Sequence, residues 1–279
     1  MAETWTSRHG APATTGAPVG AQAGASAAAE PAIRRIAVSD IGDALRLGWQ
    51  DFLAAPTQLL FLGLLYPLIG FIAARATAGG DLMPLFYPLL AGLSIMGPVA
   101  ALGIYEISRR RERGWAVSWL DAFAVLRSPA ILSIVALGLM LLVIFGLWVL
   151  AAQWIYDATL GAVARPSSVE EFANLVFNTS EGWRLILIGN AVGFLFAVAV
   201  LALTVVSFPL LLDRDVGPGV AVRTSLRAVA ANPLPMAAWG LTVAVLLFAG
   251  SLPIFIGLAV VMPLLGHGTW HLYRKVVES

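Results

Sequence analysis

The stretch "PLLGHGTWHLYRK", residues 263–275, decides how this chain is read. It carries two of the three histidines, His267 and His271, one helical turn apart beside Trp270. Alone it resembles a ligand pair, because neutral imidazole binds metals and haem. Set against "PVAALGIYEISRR", residues 98–110, it becomes a second copy of one helix end. Pro98 and Pro263, Gly103 and Gly268, Tyr105 and Trp270, Ile107 and Leu272, and Arg109 and Arg274 coincide without a gap. An aromatic followed by arginines anchors a helix where it leaves a membrane on the inner side. His267 falls opposite Leu102 and His271 opposite Glu106, so the repeat explains a polar helix end but not the imidazoles.

A second repeat lies upstream of the apolar stretches. "ALRLGWQDFLAAP" (44–56) aligns with "AVRTSLRAVAANP" (221–233) through Ala44/Ala221, Arg46/Arg223, Ala54/Ala231 and Pro56/Pro233. Bulky apolar residues match at Trp49/Leu226 and Phe52/Val229. A weaker third copy, "WLDAFAVLRSP" (119–129), keeps Phe123, Leu126 and Pro129. In the first copy Ile41, Ala44, Leu45, Gly48, Trp49 and Phe52 share one helical face, with Asp43, Arg46, Gln50 and Asp51 on the other. Ser39 or Asp40 can cap that helix, and Ser118 with Asp121 has the spacing of a capping box. The closing proline ends each surface helix and opens the next, where its missing N–H costs nothing. Each copy reads as an amphipathic helix on the inner leaflet, with its apolar face in lipid and arginines among the headgroups.

Between these markers lie six stretches of the length a membrane crossing needs, about 20 mostly apolar residues. They run over 57–76, 82–106, 129–152, 184–212, 234–250 and 252–273, the last two separated by Ser251-Leu252-Pro253 and read as a tight hairpin, with one broken re-entrant unit as the alternative. The composition agrees: 59% hydrophobic, 12% charged, mean hydropathy +0.85. Soluble domains carry roughly 25% charged residues. Of the 17 basic residues, Arg75, Arg165 and Arg184 fall on one side and the rest on the other. That asymmetry places both termini inside and the loop at 153–183 outside. In that loop "SSVEEFANLVF" carries a capping-box spacing, Ser168 with Glu171, and predicts a short interfacial helix. Residues 1–31 are rich in Ala, Gly, Thr and Pro and read as a disordered tail without a signal sequence.

The expected fold is therefore all-α and polytopic. It has six transmembrane helices as three hairpins, each preceded by an inner-side amphipathic helix, in a pseudo-threefold internal repeat. One membrane domain spans 32–279, with repeat units near 39–113, 117–215 and 216–277, the middle one carrying the outer loop as an insertion. The membrane-interface anchors are Arg46, Tyr105, Arg109, Arg110, Arg223, Arg227, Trp270 and Arg274. Three units in one orientation point to parallel repeats about an axis along the membrane normal.

Candidate functional polar residues are few. Without cysteine the chain has no disulfide, thiolate metal site, iron–sulfur cluster or cysteine nucleophile. A formal charge of +1 gives no nucleic-acid signature. His267 and His271 lack further ligands nearby, since His9 lies in the tail; the carboxylates in reach of the inner face are Glu106, Asp213 and Asp215. Glu106 reads as an interfacial charge paired with arginines, with a proton relay as the alternative. Asn190, in "LIGNAVG", is expected to bond a neighbouring helix. The acids of "DRD", 213–215, could suggest a metal but are expected to pair with each other and with Arg223 or Arg227. No phosphate loop, nucleophile elbow, zinc or dinucleotide motif is present.

The strings "RRIAVSD", "GPVAALGIYEISRR", "FPLLLDRDV", "SLRAVAANPLPM" and "LGHGTWHLYR" resemble the bacterial integral membrane family known as domain of unknown function 2189. The resemblance covers about residues 33 to 277 and leaves out the tail. It implies a polytopic inner-membrane protein of Gram-negative, mainly proteobacterial, origin, its termini cytoplasmic by the distribution of basic residues, and it brings no established activity, ligand or catalytic residue. The leading expectation is a non-enzymatic scaffold, lipid-interacting or partner-binding protein. Its partners would be the lipid bilayer, anionic headgroups at the cytoplasmic face and a possible membrane protein. A small-molecule or lipid permeation protein and a haem-binding redox protein using His267 or His271 are the alternatives.

Overall fold

The computed structural model describes residues 30–55, 68, 71, 84–164, 166, 168–253 and 255–278. The expected tail (but for its last two residues) and the first expected span, 57–76 (but for Leu68 and Phe71), lie outside the described residues. Helix α1 (Ser39–Ala54) comes first. The second expected span is a run of pieces: α2 (Phe86–Leu93), a 3-10 turn Ser94–Met96, α3 (Gly97–Ala100) and α4 (Leu102–Glu112). Pro98 offers no N–H to the turn before it, so the helix is interrupted there.

A 3-10 helix, Trp119–Arg127, starts with the expected capping box between Ser118 and Asp121. Pro129 then leads into α5 (Ile131–Ala158). Helix α6 (Val169–Asn178) is the expected loop helix, capped where the Glu171 N–H donates to the Ser168 hydroxyl at 3.1 Å. Next come α7 (Ser180–Thr204) and α8 (Ser207–Asp213), separated by a bend at Val205 and Val206. Pro209 removes the donor that would bond the Val205 carbonyl, which accounts for the bend. The chain ends with α9 (Pro218–Ala231), α10 (Pro233–Ser251) and α11 (Leu258–Val276). Where α10 gives way to α11, Gly250 and Gly257 meet backbone to backbone.

Among the described residues, four helical runs are long and apolar enough to cross a membrane: Phe86–Glu112, Ile131–Ala158, Ser180–Asp213 and Pro233–Ser251. Their outer surfaces carry exposed Leu132, Trp154, Phe194, Leu241 and Phe248. Apolar surface on this scale has lipid as its natural solvent. Helix α11, the sixth expected span, is different. Most of it is buried, including Leu265, His267, Trp270, Leu272 and Tyr273.

At the basic end, α4, α8 and α11 touch one another, and each is covered by a separate helix. The 3-10 helix Trp119–Arg127 covers α4, α9 covers α8, and α1 covers α11. Small residues allow each approach. A Cβ added at Gly103 would lie 2.8 Å from that of Ala122. The Ser207 hydroxyl donates to the Ala221 carbonyl at 3.1 Å, and the Val206 N–H to the Ser225 hydroxyl at 3.3 Å. A Cβ at Gly48 would lie 2.7 Å from the Gly268 nitrogen.

This corrects three expectations. The inward face of α1 is the seam Ile41, Ala44, Gly48, Asp51 and Ala55, buried in the protein rather than in lipid. Its alternating spacing of three and four makes a stripe as narrow as a coiled-coil seam. Trp49 and Leu53 lie exposed on its flank, and Asp51 belongs to the seam instead of the polar side. Tyr105 and Trp270 are buried at 3% and 0% exposure, so they are core residues and not interface anchors. The surface helices do keep an exposed apolar edge, with Leu120, Phe123 and Leu126 on one and Leu226 on another.

The two ends of the described chain meet beside α1 and α11. Ile33 pairs with Val277 in an antiparallel bridge; the Arg34 N–H donates to the Val276 carbonyl at 2.8 Å and the Glu278 N–H to the Ala32 carbonyl at 3.1 Å. Asn232, buried between α9 and α10, accepts from the Ile36 N–H at 2.8 Å and donates to the Arg34 carbonyl at 3.0 Å. One side chain thereby ties the segment before α1 to the third surface helix.

Candidate functional site

The two histidines that open the question end in a polar chain between three helices. Helix α1 contributes Asp51, α4 contributes Ser108 and Arg111, and α11 contributes His267 and His271. The Ser108 hydroxyl donates to Asp51 Oδ2 at 2.7 Å and lies 2.7 Å from His267 Nδ1. His271 Nε2 meets the same Oδ2 at 2.9 Å, and Arg111 Nε donates to Oδ1 at 2.8 Å. Ser108 and His267 are fully buried, and Asp51 is 7% exposed.

Donor counting orders the chain. An ionised carboxylate only accepts, so the single hydroxyl proton of Ser108 is committed to Asp51. His267 Nδ1 must then carry the hydrogen and donate to Ser108, and His271 Nε2 must donate to Asp51. The result runs from His267 through Ser108 to Asp51, with His271 and Arg111 closing it. The residue types are those of a nucleophilic triad in the wrong order. In a hydrolase the imidazole stands between hydroxyl and carboxylate and removes the hydroxyl proton. Here the hydroxyl stands in the middle and no base faces it, so the geometry makes a cross-link instead of a nucleophile.

Burial opposes ionisation of Asp51, but hydrogen bonds from His271, Arg111 and Ser108 outweigh it and hold the carboxyl down at about 2. A carboxyl depressed on folding stabilises the protein above its unfolded value and loses that contribution as pH falls toward the folded one. The window here runs from about pH 4 down to about pH 2, and the contribution is roughly 2 kcal/mol. We expect the melting temperatures of wild-type and Asp51→Asn protein in detergent to converge as pH falls through that window. A gap that stays constant to about pH 3 would contradict the assignment.

A second network joins the helix ends. Glu106 is buried and accepts from Arg109 and Arg110 at 2.6 and 2.7 Å; Arg110 also reaches Asp121 at 2.6 Å. The Arg109 guanidinium donates to the Leu212 carbonyl at 3.1 Å, linking α4 to α8. Asp213 accepts from the Tyr273 hydroxyl at 2.8 Å and from Arg274 at 3.2 Å. Glu112 accepts from Arg274 at 2.9 Å and from the Trp270 indole at 3.2 Å, linking α11 back to α4. Farther out, Lys275 pairs with Asp40 and Asp43, Arg46 with Asp43, and Arg223 and Arg227 with Glu30. These exposed pairs are individually weak.

Of the expected polar residues, Glu106 pairs with Arg109 and Arg110; Asp213 pairs with Arg274 and not with Arg223 or Arg227, which hold Glu30 instead. Asp215 lines a cleft beside Arg127 and Arg214. Asn190 is a correction: it is exposed, and its amide donates to the Ile186 carbonyl of its own helix at 2.7 Å. Own-helix bonding satisfies the donor without a neighbour. Asp51, Ser108, Arg111, Glu112 and Tyr273 were not singled out by the sequence. The heptad spacing of Ala44, Gly48, Asp51 and Ala55 is the signal that would have found the first of them. Among the described residues, no group of three or more histidines and carboxylates is arranged to hold a metal ion.

The architecture is that of a polytopic α-helical integral membrane protein, many of whose charged residues are paired with one another at one end of the bundle. Residues 86–213 match the model of a family described as predicted integral membrane protein (DUF2189), the family the sequence resembles. The match runs from α2 through α8 and so takes in Ser108, Arg111 and the Glu106 and Asp213 networks. No curated protein and no solved structure matches the chain.

Proposed function

We propose that the protein is a non-catalytic scaffold of the bacterial inner membrane that gathers anionic lipid at its basic, cytoplasmic face. The observation that carries this reading is where polar side chains in the helical runs direct their hydrogens. Thr204 donates to the Val200 carbonyl, Thr242 to Ala238, Ser251 to Leu247, Thr269 to Leu265 and Asn190 to Ile186, each four residues back on the same helix. Side chains closed on their own backbone do not line a wet path, which weighs against permeation. The chain of Asp51, Ser108, His267 and His271 is likewise closed on itself, which weighs against catalysis.

The pseudo-threefold repeat has support in the same geometry. Each covering helix lies on the returning helix of the unit before it: α1 on α11, Trp119–Arg127 on α4, and α9 on α8. That order is cyclic, as three parallel units around an axis require. With Ser207 placed level with Gly103 and Gly268, the buried residues Leu211, Ile107 and Leu272 also fall level. In this reading six helices cross as three hairpins and both termini are cytoplasmic. Helix α11 is the sixth crossing, its polar turns shielded by α1, α4 and α10. An experimental structure with different contacts at the second and third junctions would remove the repeat.

Anionic surface potential draws basic juxtamembrane residues, by about 1 kcal/mol for each that reaches the headgroups. Protein extracted in mild detergent should therefore retain phosphatidylglycerol or cardiolipin in excess of their share of the membrane. Lipid extraction and quantification of headgroups measures this, and a retained composition equal to the bulk would overturn the lipid reading.

A further inference from the structure

We infer that the protein holds the phosphate of one anionic phospholipid in a cleft between the 3-10 helix Trp119–Arg127 and the ends of α4 and α8. This rests on the lipid-gathering reading above and assigns it a place. A cleft of about 300 Å³ is lined by Arg109, Arg110, Arg127 and Arg214 against Glu106, Asp213 and Asp215. A second, of about 280 Å³, shares Arg110 and Arg127 and adds Leu120, Phe123 and Leu126, with Asp121 held by Arg110. The two meet at the arginines, so one polar recess opens directly beside an apolar edge.

The acids of the recess are largely engaged. Glu106 holds Arg109 and Arg110, and Asp213 holds Arg274 and Tyr273. These contacts fix the first two guanidiniums in place. Arg110 uses two of its donors on Glu106 and Asp121, and a guanidinium has five. Arg127 is exposed, and among the described residues no carboxylate lies within ion-pair distance of it. One arginine is thus uncompensated beside two that are preorganised, which suits a phosphate more than a carboxylate-bearing side chain from within the protein.

The surroundings select a lipid over a free anion. Leu120, Phe123 and Leu126 are exposed on the same helix as Arg127, and Leu132 is 80% exposed in the first turn of α5. Acyl chains lying along that edge would put a headgroup at the level of Arg127. Basic pockets at helix ends on the cytoplasmic side take anionic headgroups in this way.

The test is native mass spectrometry of the purified full chain titrated with phosphatidylglycerol or phosphatidylcholine, with inorganic phosphate as a competitor. Wild type should bind one phosphatidylglycerol in preference to phosphatidylcholine. Arg127→Gln should weaken that binding roughly tenfold, the effect of one charge-assisted hydrogen bond. Asp215→Asn should tighten it, because it removes the opposing charge at the rim. Arg46→Gln, on a different surface helix, should weaken it far less than Arg127→Gln. Equal losses in Arg127→Gln and Arg46→Gln would replace the cleft with diffuse attraction while leaving the lipid reading intact. No preference in wild type would overturn both. Displacement by inorganic phosphate at equal concentration would overturn the lipid assignment and leave a free-anion site.

Discussion

Replacing Asp51 with alanine is expected to destabilise the protein by about 3–5 kcal/mol, the cost of breaking a buried charged pair from one side. The carboxylate accepts from Ser108, His271 and Arg111 at once. Its loss strands the partly buried Arg111 guanidinium and the His271 ring N–H, and forces the buried Ser108 hydroxyl to turn to His267 through a change of imidazole tautomer. An asparagine at this position would keep one acceptor oxygen but turn an amide donor toward donors, so Asp51→Asn should lie between wild type and alanine. Thermal unfolding of detergent-purified protein, followed by tryptophan fluorescence, reads the effect as a drop of about 10 °C for a chain of this size. Arg111→Met in the Asp51→Ala background should recover part of the loss, because the stranded guanidinium is a large share of it. An alanine variant that melts within a degree or two of wild type would show that the chain of bonds contributes nothing.

The sequence made much of the fold legible and little of this chain. Apolar length exposed the spans at 82–106, 129–152, 184–212 and 234–250, because hydrocarbon thickness imposes the same demand on every crossing helix. Capping signals at Ser118 and Ser168 were legible because they are local. The histidine network was not, because its members sit on three helices at positions 51, 108, 267 and 271. Only the packing of α1 and α4 on α11 brings them together. Periodicity also misled at Asp51. A broad apolar face centred near Trp49 pushed the acid to the polar side, whereas the seam that packs is the small-residue stripe beside it. Tyr105 and Trp270 misled in the same way. An aromatic before arginines usually marks lipid, but here each is enclosed by neighbouring helix ends.

Gly48→Ala is expected to be the other severe change, and more severe than Gly268→Ala although the two glycines face each other. A Cβ at Gly48 meets Gly268 N at 2.7 Å, Gly268 Cα at 3.0 Å and the His267 carbonyl carbon at 3.2 Å. All three are backbone atoms of a helix, so no rotamer relieves the contact and α1 must move away from α11. At Gly268 the nearest atom is the rim of the Trp239 ring at 3.1 Å, which can shift by a few tenths of an ångström. Each substitution also gains about 1 kcal/mol of helix propensity. Overpacking against backbone costs about 3 kcal/mol and sometimes more, so Gly48→Ala should be destabilised by about 2 kcal/mol or more net. Gly268→Ala should stay within about 1 kcal/mol of wild type. The displacement at Gly48 would also pull Asp51, one turn along α1, away from Ser108 and His271. In a Gly48→Ala background Asp51→Ala should therefore cost less than it does alone, a coupling that a double-mutant cycle measures. Equal costs for the two glycines, or strict additivity with Asp51, would mean that the α1–α11 seam does not set the geometry of the polar chain.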